Sequence, residues 1–268
     1  MPNEKNKHRK RTMETEEFSE FVSKTCKGSG EIIKKYFEQG VGVDWKKDNT
    51  PVTVADKESE QYIRNEIISK FPGHGIIGEE HGSYQEGAEY TWVIDPIDGT
   101  KSFIAGTPLF GTLMALLKNG QPIFGAMHFP IMGDLLIGDG HNAYLNGANV
   151  CVSQKLELNK ATVLTTDYNN FKMYKKPEGF EELLSKCGMF RTWGDCFGYY
   201  LVATGKAHIM IDPEMSVWDK MALIPIIRGA GGEISDFFGR DPVKGDGIVA
   251  GIKELHSQAI QLLSAPYE

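Results

Sequence analysis

The spacing of apolar residues predicts a long amphipathic helix near the start of the chain. From Phe18 to Tyr36, apolar or small side chains recur every three or four residues, which places them on one face of a helix. Thr15 can cap the start of this helix, and Gly40 can end it. A second helix is predicted over about 56–70, and it ends there because a proline follows at position 72.

Short apolar runs predict buried strands, some of them joined by tight turns. Runs at 113–117 and 123–128 flank Asn119-Gly120, a dipeptide typical of two-residue hairpins, and a second Asn-Gly pair stands at 146–147. Beyond residue 161, helical and strand patterns alternate, at 194–204, 209–211, 218–229 and 247–250. Helices mixed with hairpin-joined strands predict the α+β class, built as layers of helix and sheet.

Charge is distributed unevenly along the chain, which has 268 residues and a formal net charge of −7. Residues 1–13 carry five Lys or Arg side chains against one Glu, so the remainder is acidic. An acidic body disfavours nucleic acid as a partner, and an anionic substrate would need positive charge that bound metal ions can supply. Residues 1–12 lack periodicity and predict a disordered basic tail; the alternative is an arm that binds nucleic acid or a partner.

Composition also predicts where the protein works. No apolar run approaches the ~20 residues that span a bilayer. The charged start is not followed by the apolar region of a secretory signal, and the four cysteines are scattered without a CxxC pair. These features predict a cytoplasmic protein without membrane partners.

The strongest chemical signal is the segment at 92–102. An apolar run leads into Asp95 and Asp98, and the proline between them stiffens the chain. This geometry can aim both carboxylates and the intervening Ile97 carbonyl at one point. Oxygen ligands of this kind suit a hard cation such as Mg²⁺.

Gly99 and Thr100 follow, where backbone N–H groups at a helix start can hold a phosphate. Taken alone, the same residues also favour an ordinary turn.

Two further acidic clusters strengthen the metal hypothesis. Glu79 and Glu80 follow an apolar pair, and acidic residues at the end of a buried strand are costly unless they are paired or bound to metal. Asp219 opens a predicted helix. In isolation, the first cluster could be a solvated loop, and Asp219 could simply be an acidic residue favoured by the helix dipole.

These separated motifs resemble the inositol monophosphatase superfamily of metal-dependent phosphatases. The matching pieces are Thr53-Val54-Ala55-Asp56, Gly78-Glu79-Glu80, the stretch 95–100 and Trp218-Asp219, and the similarity spans about 41–251. The resemblance implies a layered αβαβα sandwich and a homodimer. It implies one phosphatase domain over 13–268, with two closely packed lobes at about 13–155 and 156–268.

The resemblance also implies the roles of the site residues. Two or three Mg²⁺ ions, with Mn²⁺ as an alternative, would be held by Glu79, Asp95, the Ile97 carbonyl, Asp98 and Asp219. Thr100 and Asp56 would orient and activate the attacking water, and Glu79 would assist them.

Substrate preference is indicated outside the metal motifs. Lys101-Ser102-Phe103 and the stretch 191–195 resemble the histidinol-phosphate phosphatase branch, in which the residue corresponding to Asp195 contacts the cationic end of the substrate. Histidinol phosphate carries an ammonium and an imidazole, so its pocket should offer carboxylates. The predicted substrate contacts are Gly99, Thr100, Lys101, Ser102, Arg191, Asp195 and Asp212.

Some of these substrate contacts have other interpretations. Asp195 could cap a helix instead, and Arg191 could steer the phosphate, hold Asp195 in place or form a surface ion pair.

The leading hypothesis is therefore a histidinol-phosphate phosphatase of histidine biosynthesis. The nearest alternative hydrolyses inositol 1-phosphate or another sugar phosphate at the same metal centre. An inactive scaffold with a nucleic-acid-binding arm is disfavoured, because every expected ligand is present.

Overall fold

The computed structural model describes residues 4–40, 42–45, 51–174 and 178–264. Its helices are α1 Glu4–Gln39, α2 Val54–Lys70, α3 Thr100–Ile104, α4 Tyr168–Tyr174, α5 Glu178–Lys186, α6 Asp195–Ala203, α7 Val217–Lys220, α8 Leu223–Gly229 and α9 Lys253–Ser264. Its strands are β1 Val43–Trp45, β2 Pro51–Thr53, β3 Gly75–Gly78, β4 Gly82–Tyr84, β5 Tyr90–Asp98, β6 Gly111–Lys118, β7 Gln121–Phe129, β8 Asp134–Gly138, β9 Ala143–Leu145, β10 Ala148–Asn149, β11 Thr162–Leu164, β12 Met189–Arg191, β13 Ile209–Asp212, β14 Glu233–Ser235 and β15 Ile248–Gly251.

The strands form two large sheets and a small β1–β2 ladder. The larger sheet has eight strands in the order β10-β9-β8-β7-β6-β5-β3-β4, and only β3 and β5 pair in parallel. The smaller has five strands in the order β12-β11-β13-β15-β14. In it, β11 runs parallel to both β12 and β13, so the carboxyl ends of these three strands share one edge.

The larger sheet is buried on both faces, which explains the continuous apolar run in β5. Alternate side chains of a strand point to opposite faces. Trp92 and Ile94 pack against Phe18 of α1 and Ile63 of α2. Val93 lies on the other face, in the cluster that contains helices α6 and α8.

Helices α6 and α8 form the middle layer, between the two sheets. Their cluster also includes Met210 of β13 and Ile248 of β15. On the far face of the smaller sheet, Ile209 packs with Phe180 of α5 and Leu255 of α9. The order helix, sheet, helix, sheet, helix confirms the predicted αβαβα sandwich of the α+β class.

The first helix is longer than predicted. The backbone is helical from Glu4, so residues 4–12, predicted to be a disordered tail, belong to α1, and Thr15 lies inside the helix rather than at its cap. Lys, Arg, Glu and Met favour helix, and residues 4–17 contain no glycine or proline to interrupt it. Residues 1–3 lie outside the described part of the chain.

Two other helix boundaries differ from the sequence prediction. Helix α2 begins at Val54, because Thr53 caps it in a capping box with Asp56. The single helix predicted over 218–229 is divided into α7 and α8. Pro225 lacks the N–H that would continue the ladder back to the Met221 carbonyl.

Both predicted Asn-Gly hairpins are confirmed. Asn119 and Gly120 join β6 to β7 with φ of 50° and 77°, and Asn146 and Gly147 join β9 to β10 with φ of 50° and 82°. Two consecutive positive φ values are what a type I′ turn requires.

Among the described helices, none combines the length and apolar character needed to cross a bilayer.

Candidate active site

Strand β5 carries the central acidic residues on an irregular stretch. The sequence predicted a buried strand that ends in the two aspartates, and β5 does end at Asp98. Asp95 pairs with Leu113 of β6 and Asp98 pairs with Gly111, so β5 holds one extra residue there. Such a bulge re-aims side chains, and the intervening proline, which cannot donate to a ladder, is tolerated in it.

The bulge brings its carboxylates together with one from the other end of the chain. Asp95, Asp98 and Asp219 each offer an oxygen, and these oxygens lie within 4.8 Å of one another. Asp219 stands in the first turn of α7, where its carboxylate also accepts from the Ser216 N–H at 2.7 Å. Glu79, in the turn after β3, and Ile97 line the same cavity.

Close packing of these carboxylates makes their ionised forms unfavourable. Burial raises the pKa of Asp95 well above its usual value, and the charges of Glu79 and Asp98 raise it further. Burial raises the pKa of Asp219 to about 6, with a further contribution from Glu79. Such a set of oxygen donors needs protons or a cation to offset its charge, and it fits a hard divalent cation.

Thr100 and Asp56 are adjacent, as the resemblance implied. The Thr100 hydroxyl lies 3.4 Å from Asp56 Oδ1 and 3.1 Å from the Ile97 carbonyl oxygen. The other Asp56 oxygen accepts from the N–H and the hydroxyl of Thr53, at 2.8 and 2.5 Å. Burial raises the pKa of Asp56 to about 6, while the Thr53 hydrogen bonds oppose that shift. Asp56 therefore supports Thr100 from behind the cavity wall.

Most of the predicted site residues meet around a single cavity of about 310 Å³. The predicted residues that line it are Glu79, Asp95, Ile97, Asp98, Gly99, Thr100, Lys101, Ser102, Asp195 and Asp219. They come from β3, β5, α3, α6 and α7 and the turns beside them. The three exceptions are Asp56, Arg191 and Asp212.

Asp195 occupies a strained position at the cavity wall. Its φ is 49°, and its N–H donates to Thr166 Oγ1 at 2.8 Å. A Cβ added at Gly99 would lie 3.1 Å from Asp195 Oδ2, which together with the φ of 92° favours glycine there. The pKa of Asp195 is raised to about 7, chiefly by burial and also by the nearby charge of Asp212, while Lys101 opposes the rise.

The alternative role of Asp195 as a helix cap does not fit this geometry. Gly194 occupies the N-cap position of α6, and the first N–H groups of the helix, those of Asp195 and Cys196, donate to Thr166 and Asp98 instead. A non-glycine residue held at positive φ is a frequent feature of functional sites. The carboxylate of Asp195 faces the cavity instead.

Asp212 lies behind this wall and supports it. Its carboxylate accepts from the Thr166 N–H at 2.8 Å, the Thr165 hydroxyl at 3.3 Å and the Tyr199 hydroxyl at 3.0 Å. The Asp212 side chain borders a smaller adjoining space of about 80 Å³ together with Asp195. Asp212 was predicted to contact the substrate, but in this geometry it supports the loop at Thr165 and Thr166 that holds Asp195.

Arg191 lies on the surface beside the site rather than in it. Its guanidinium donates to the Phe190 carbonyl at 2.6 Å and lies 5.9 Å from the centre of the Trp193 ring. The side chain is exposed and is absent from the cavity wall. Its predicted part in phosphate binding is not supported by this position.

The sequence prediction missed five lining residues: Leu109, Thr166, Asp167, Thr192 and Gly194. The run 161–164 followed by Thr-Thr-Asp was a usable signal, because it is a short strand that ends in polar residues. Ligands of parallel sheets bind at the carboxyl ends of the strands, and β11 and β12 end here.

Comparisons with known proteins show the family of the chain. The profile of the inositol monophosphatase family matches residues 14–266. A histidinol-phosphatase of Chlorobaculum parvum is 40% identical over 83% of this chain and 87% of its own length. One of Mycobacterium tuberculosis is 34% identical over 83% and 88%. The solved inositol monophosphatase of Zymomonas mobilis is 29% identical, with a TM-score of 0.83 over 93% of this chain and 98% of that one.

Proposed function

The chain belongs to the inositol monophosphatase family, and we propose that the ester it hydrolyses is L-histidinol phosphate, in histidine biosynthesis. The chain is a phosphoric monoester hydrolase, and the enzymes of its family depend on bound metal. Two relatives that are named histidinol-phosphatases and match most of the chain support this substrate.

The position of Asp195 is the observation that carries the proposal. Its carboxylate lines the cavity that also contains the acidic cluster, so it can meet a part of the substrate other than the phosphate. Burial raises its pKa to about 7, and a cationic partner would favour the ionised form. The ammonium of histidinol phosphate is such a partner, whereas an uncharged polyol is not.

We assign the cation ligands to Glu79, Asp95, the Ile97 carbonyl, Asp98 and Asp219. Mg²⁺, as two or three ions, or Mn²⁺ in its place, would supply positive charge for the phosphate and for the leaving oxygen. Thr100 accepts a proton from the attacking water and passes its own toward Asp56, which lies 3.4 Å away. The backbone of Gly99 and the side chains of Lys101 and Ser102 line the cavity where they can hold the phosphate.

Inositol 1-phosphate or another sugar phosphate is the second candidate. A carboxylate such as Asp195 can also accept hydrogen bonds from hydroxyl groups. The structural match to an inositol monophosphatase supports this candidate.

Phosphate release from histidinol phosphate and from inositol 1-phosphate, measured side by side with Mg²⁺ and with EDTA, separates the two. We expect metal-dependent turnover that strongly favours histidinol phosphate. A preference for inositol 1-phosphate would be consistent with the proposed metal site but would reject histidinol phosphate as the substrate. Turnover that persists in EDTA would reject the metal site.

Homodimer formation and a cytoplasmic location complete the proposal. The dimer rests on the family resemblance, and the location on the composition. Light scattering of the purified protein tests the first: a monomer at working concentration would reject it.

A further inference from the structure

The turn that carries Glu79 is fastened to helix α2 by a buried carboxylate, that of Glu60. Two successive backbone N–H groups of the turn, those of Glu80 and His81, donate to Glu60 at 2.7 and 3.1 Å. The His81 ring also lies 3.0 Å from the Lys57 carbonyl oxygen, one turn earlier on the same helix. The turn is thus held along one side by α2.

Arg64 compensates the buried charge of Glu60. Its Nη1 donates to Glu60 at 3.3 Å and to the Gly82 carbonyl, at the start of β4, at 2.9 Å. The Glu60 side chain is fully buried and that of Arg64 is 9% exposed. A buried carboxylate is costly unless it is paired and hydrogen-bonded, and here three donors satisfy it.

Gly78 makes this contact possible. A Cβ at Gly78 would lie 2.0 Å from Glu60 Oε1, so only glycine lets the carboxylate reach beneath the turn. On the other side, the Glu79 N–H donates to the Ile94 carbonyl of β5 at 3.3 Å. The backbone of Glu79 is therefore fixed from both directions.

Helix α2 consequently sets two parts of the site. Asp56, which supports Thr100, and Glu60 are four residues apart and lie on one face of the helix. Asp56 positions the Thr100 hydroxyl beside β5, and Glu60 holds the turn after β3. A shift of this helix would displace both.

We propose that Glu60 is a positioning residue for cation binding, which acts by holding the Glu79 carboxylate toward the carboxylates of β5. This inference rests on the proposed metal site. It does not depend on which phosphate ester is the substrate, so it stands if histidinol phosphate proves wrong.

The test is a direct titration of the protein with Mg²⁺ in the absence of substrate, with binding measured by calorimetry. Glu60→Gln replaces one acceptor oxygen with an amide donor, so one of the two turn N–H groups loses its partner. We expect about 10-fold weaker cation binding, as when residues that orient metal ligands are changed. Glu66→Gln, on the same helix but paired with exposed Lys24, is the matched control and should bind normally. Unchanged binding in Glu60→Gln overturns the proposal.

A double-mutant cycle separates positioning from a general loss of structure. If Glu60 acts through Glu79, then adding Glu60→Gln to Glu79→Gln should weaken binding little further. An equal loss in the wild-type and Glu79→Gln backgrounds would show that Glu60 does not act through Glu79, and would overturn the proposal.

Arg64→Lys provides a milder perturbation if Glu60→Gln does not fold, as judged by circular dichroism. It keeps the positive charge but replaces the planar guanidinium, whose Nη1 donates to both Glu60 and Gly82, with an ammonium on a shorter side chain. We expect a smaller loss of cation affinity that disappears in the Glu79→Gln background. Wild-type affinity in Arg64→Lys would then overturn the proposal.

Discussion

The Thr100 hydroxyl is shared between two acceptors, Asp56 Oδ1 at 3.4 Å and the Ile97 carbonyl oxygen at 3.1 Å. A hydroxyl has a single proton, so it can donate fully to only one of them at a time. Its lone pairs remain available to accept from a water molecule in the cavity. This arrangement supports the proposed proton path, which would run from the cavity through Thr100 to the buried carboxylate of Asp56.

Thr100→Val should remove that path while conserving the shape of the side chain. We expect kcat to fall by about 100-fold or more, since a positioned acid or base contributes 10²–10⁴-fold. The measurement is steady-state phosphate release at saturating Mg²⁺. Thr100→Ser keeps the hydroxyl and should recover most of the rate. A valine variant that stays within about 10-fold of wild type would contradict the role.

The acidic cluster was predictable because its members come from short, distinctive motifs. Asp95 and Asp98 are three residues apart after an apolar strand, and Glu79 follows another. Asp219 required the family resemblance, because an acidic residue at a helix start is common. The αβαβα layering likewise followed from the resemblance, since periodicity alone indicated only α+β.

Other parts of the site depend on contacts that no local pattern encodes. Glu60 looks like an ordinary polar residue of an amphipathic helix, and only its burial beneath the Glu79 turn reveals its contacts. Thr166 reaches Asp195 across 29 positions of sequence. Arg191 was predicted from its neighbours in the sequence, but it is the last residue of the edge strand β12, and its side chain is exposed there.

Gly78→Ala should destabilise the protein through its contact with Glu60. The added methyl would lie 2.0 Å from the Glu60 carboxylate, beneath a turn that cannot move freely. We expect the free energy of unfolding to fall by about 1–3 kcal/mol, as in other overpacked interiors. Gly73→Ala, where nothing lies within 4 Å, is the control. It should be neutral or stabilising by up to about 1 kcal/mol in urea denaturation. Equal effects of both changes would contradict the close contact.

The stabilisation of the protein by Mg²⁺ should grow with pH. Burial raises the pKa of Asp195 to about 7 and those of Asp56 and Asp219 to about 6, from an ordinary 3.8. Without cations, the stability that these carboxyls contribute is complete below about pH 4 and is lost as the pH rises through about 7. A cation then replaces the missing protons.

Thermal unfolding with Mg²⁺ and with EDTA, at about pH 5 and about pH 7.5, measures this effect. We expect the rise in Tm caused by Mg²⁺ to be larger at the higher pH. Sodium chloride at matched ionic strength controls for screening. A rise that is equal at both pH values, or larger at the lower one, would argue against cation binding at the acidic cluster of Asp95, Asp98 and Asp219.

The proposed substrate is tested most sharply by the specificity of Asp195→Asn, expressed as the ratio of kcat/KM for histidinol phosphate to that for inositol 1-phosphate. The change keeps the size of the side chain and removes its charge. Because a hydrogen bond to a charged group contributes about 1.5–3 kcal/mol, we predict that this ratio falls by about 10-fold or more. Equal losses on both substrates, with the ratio unchanged, would contradict the conclusion that Asp195 recognises the cationic end of the substrate.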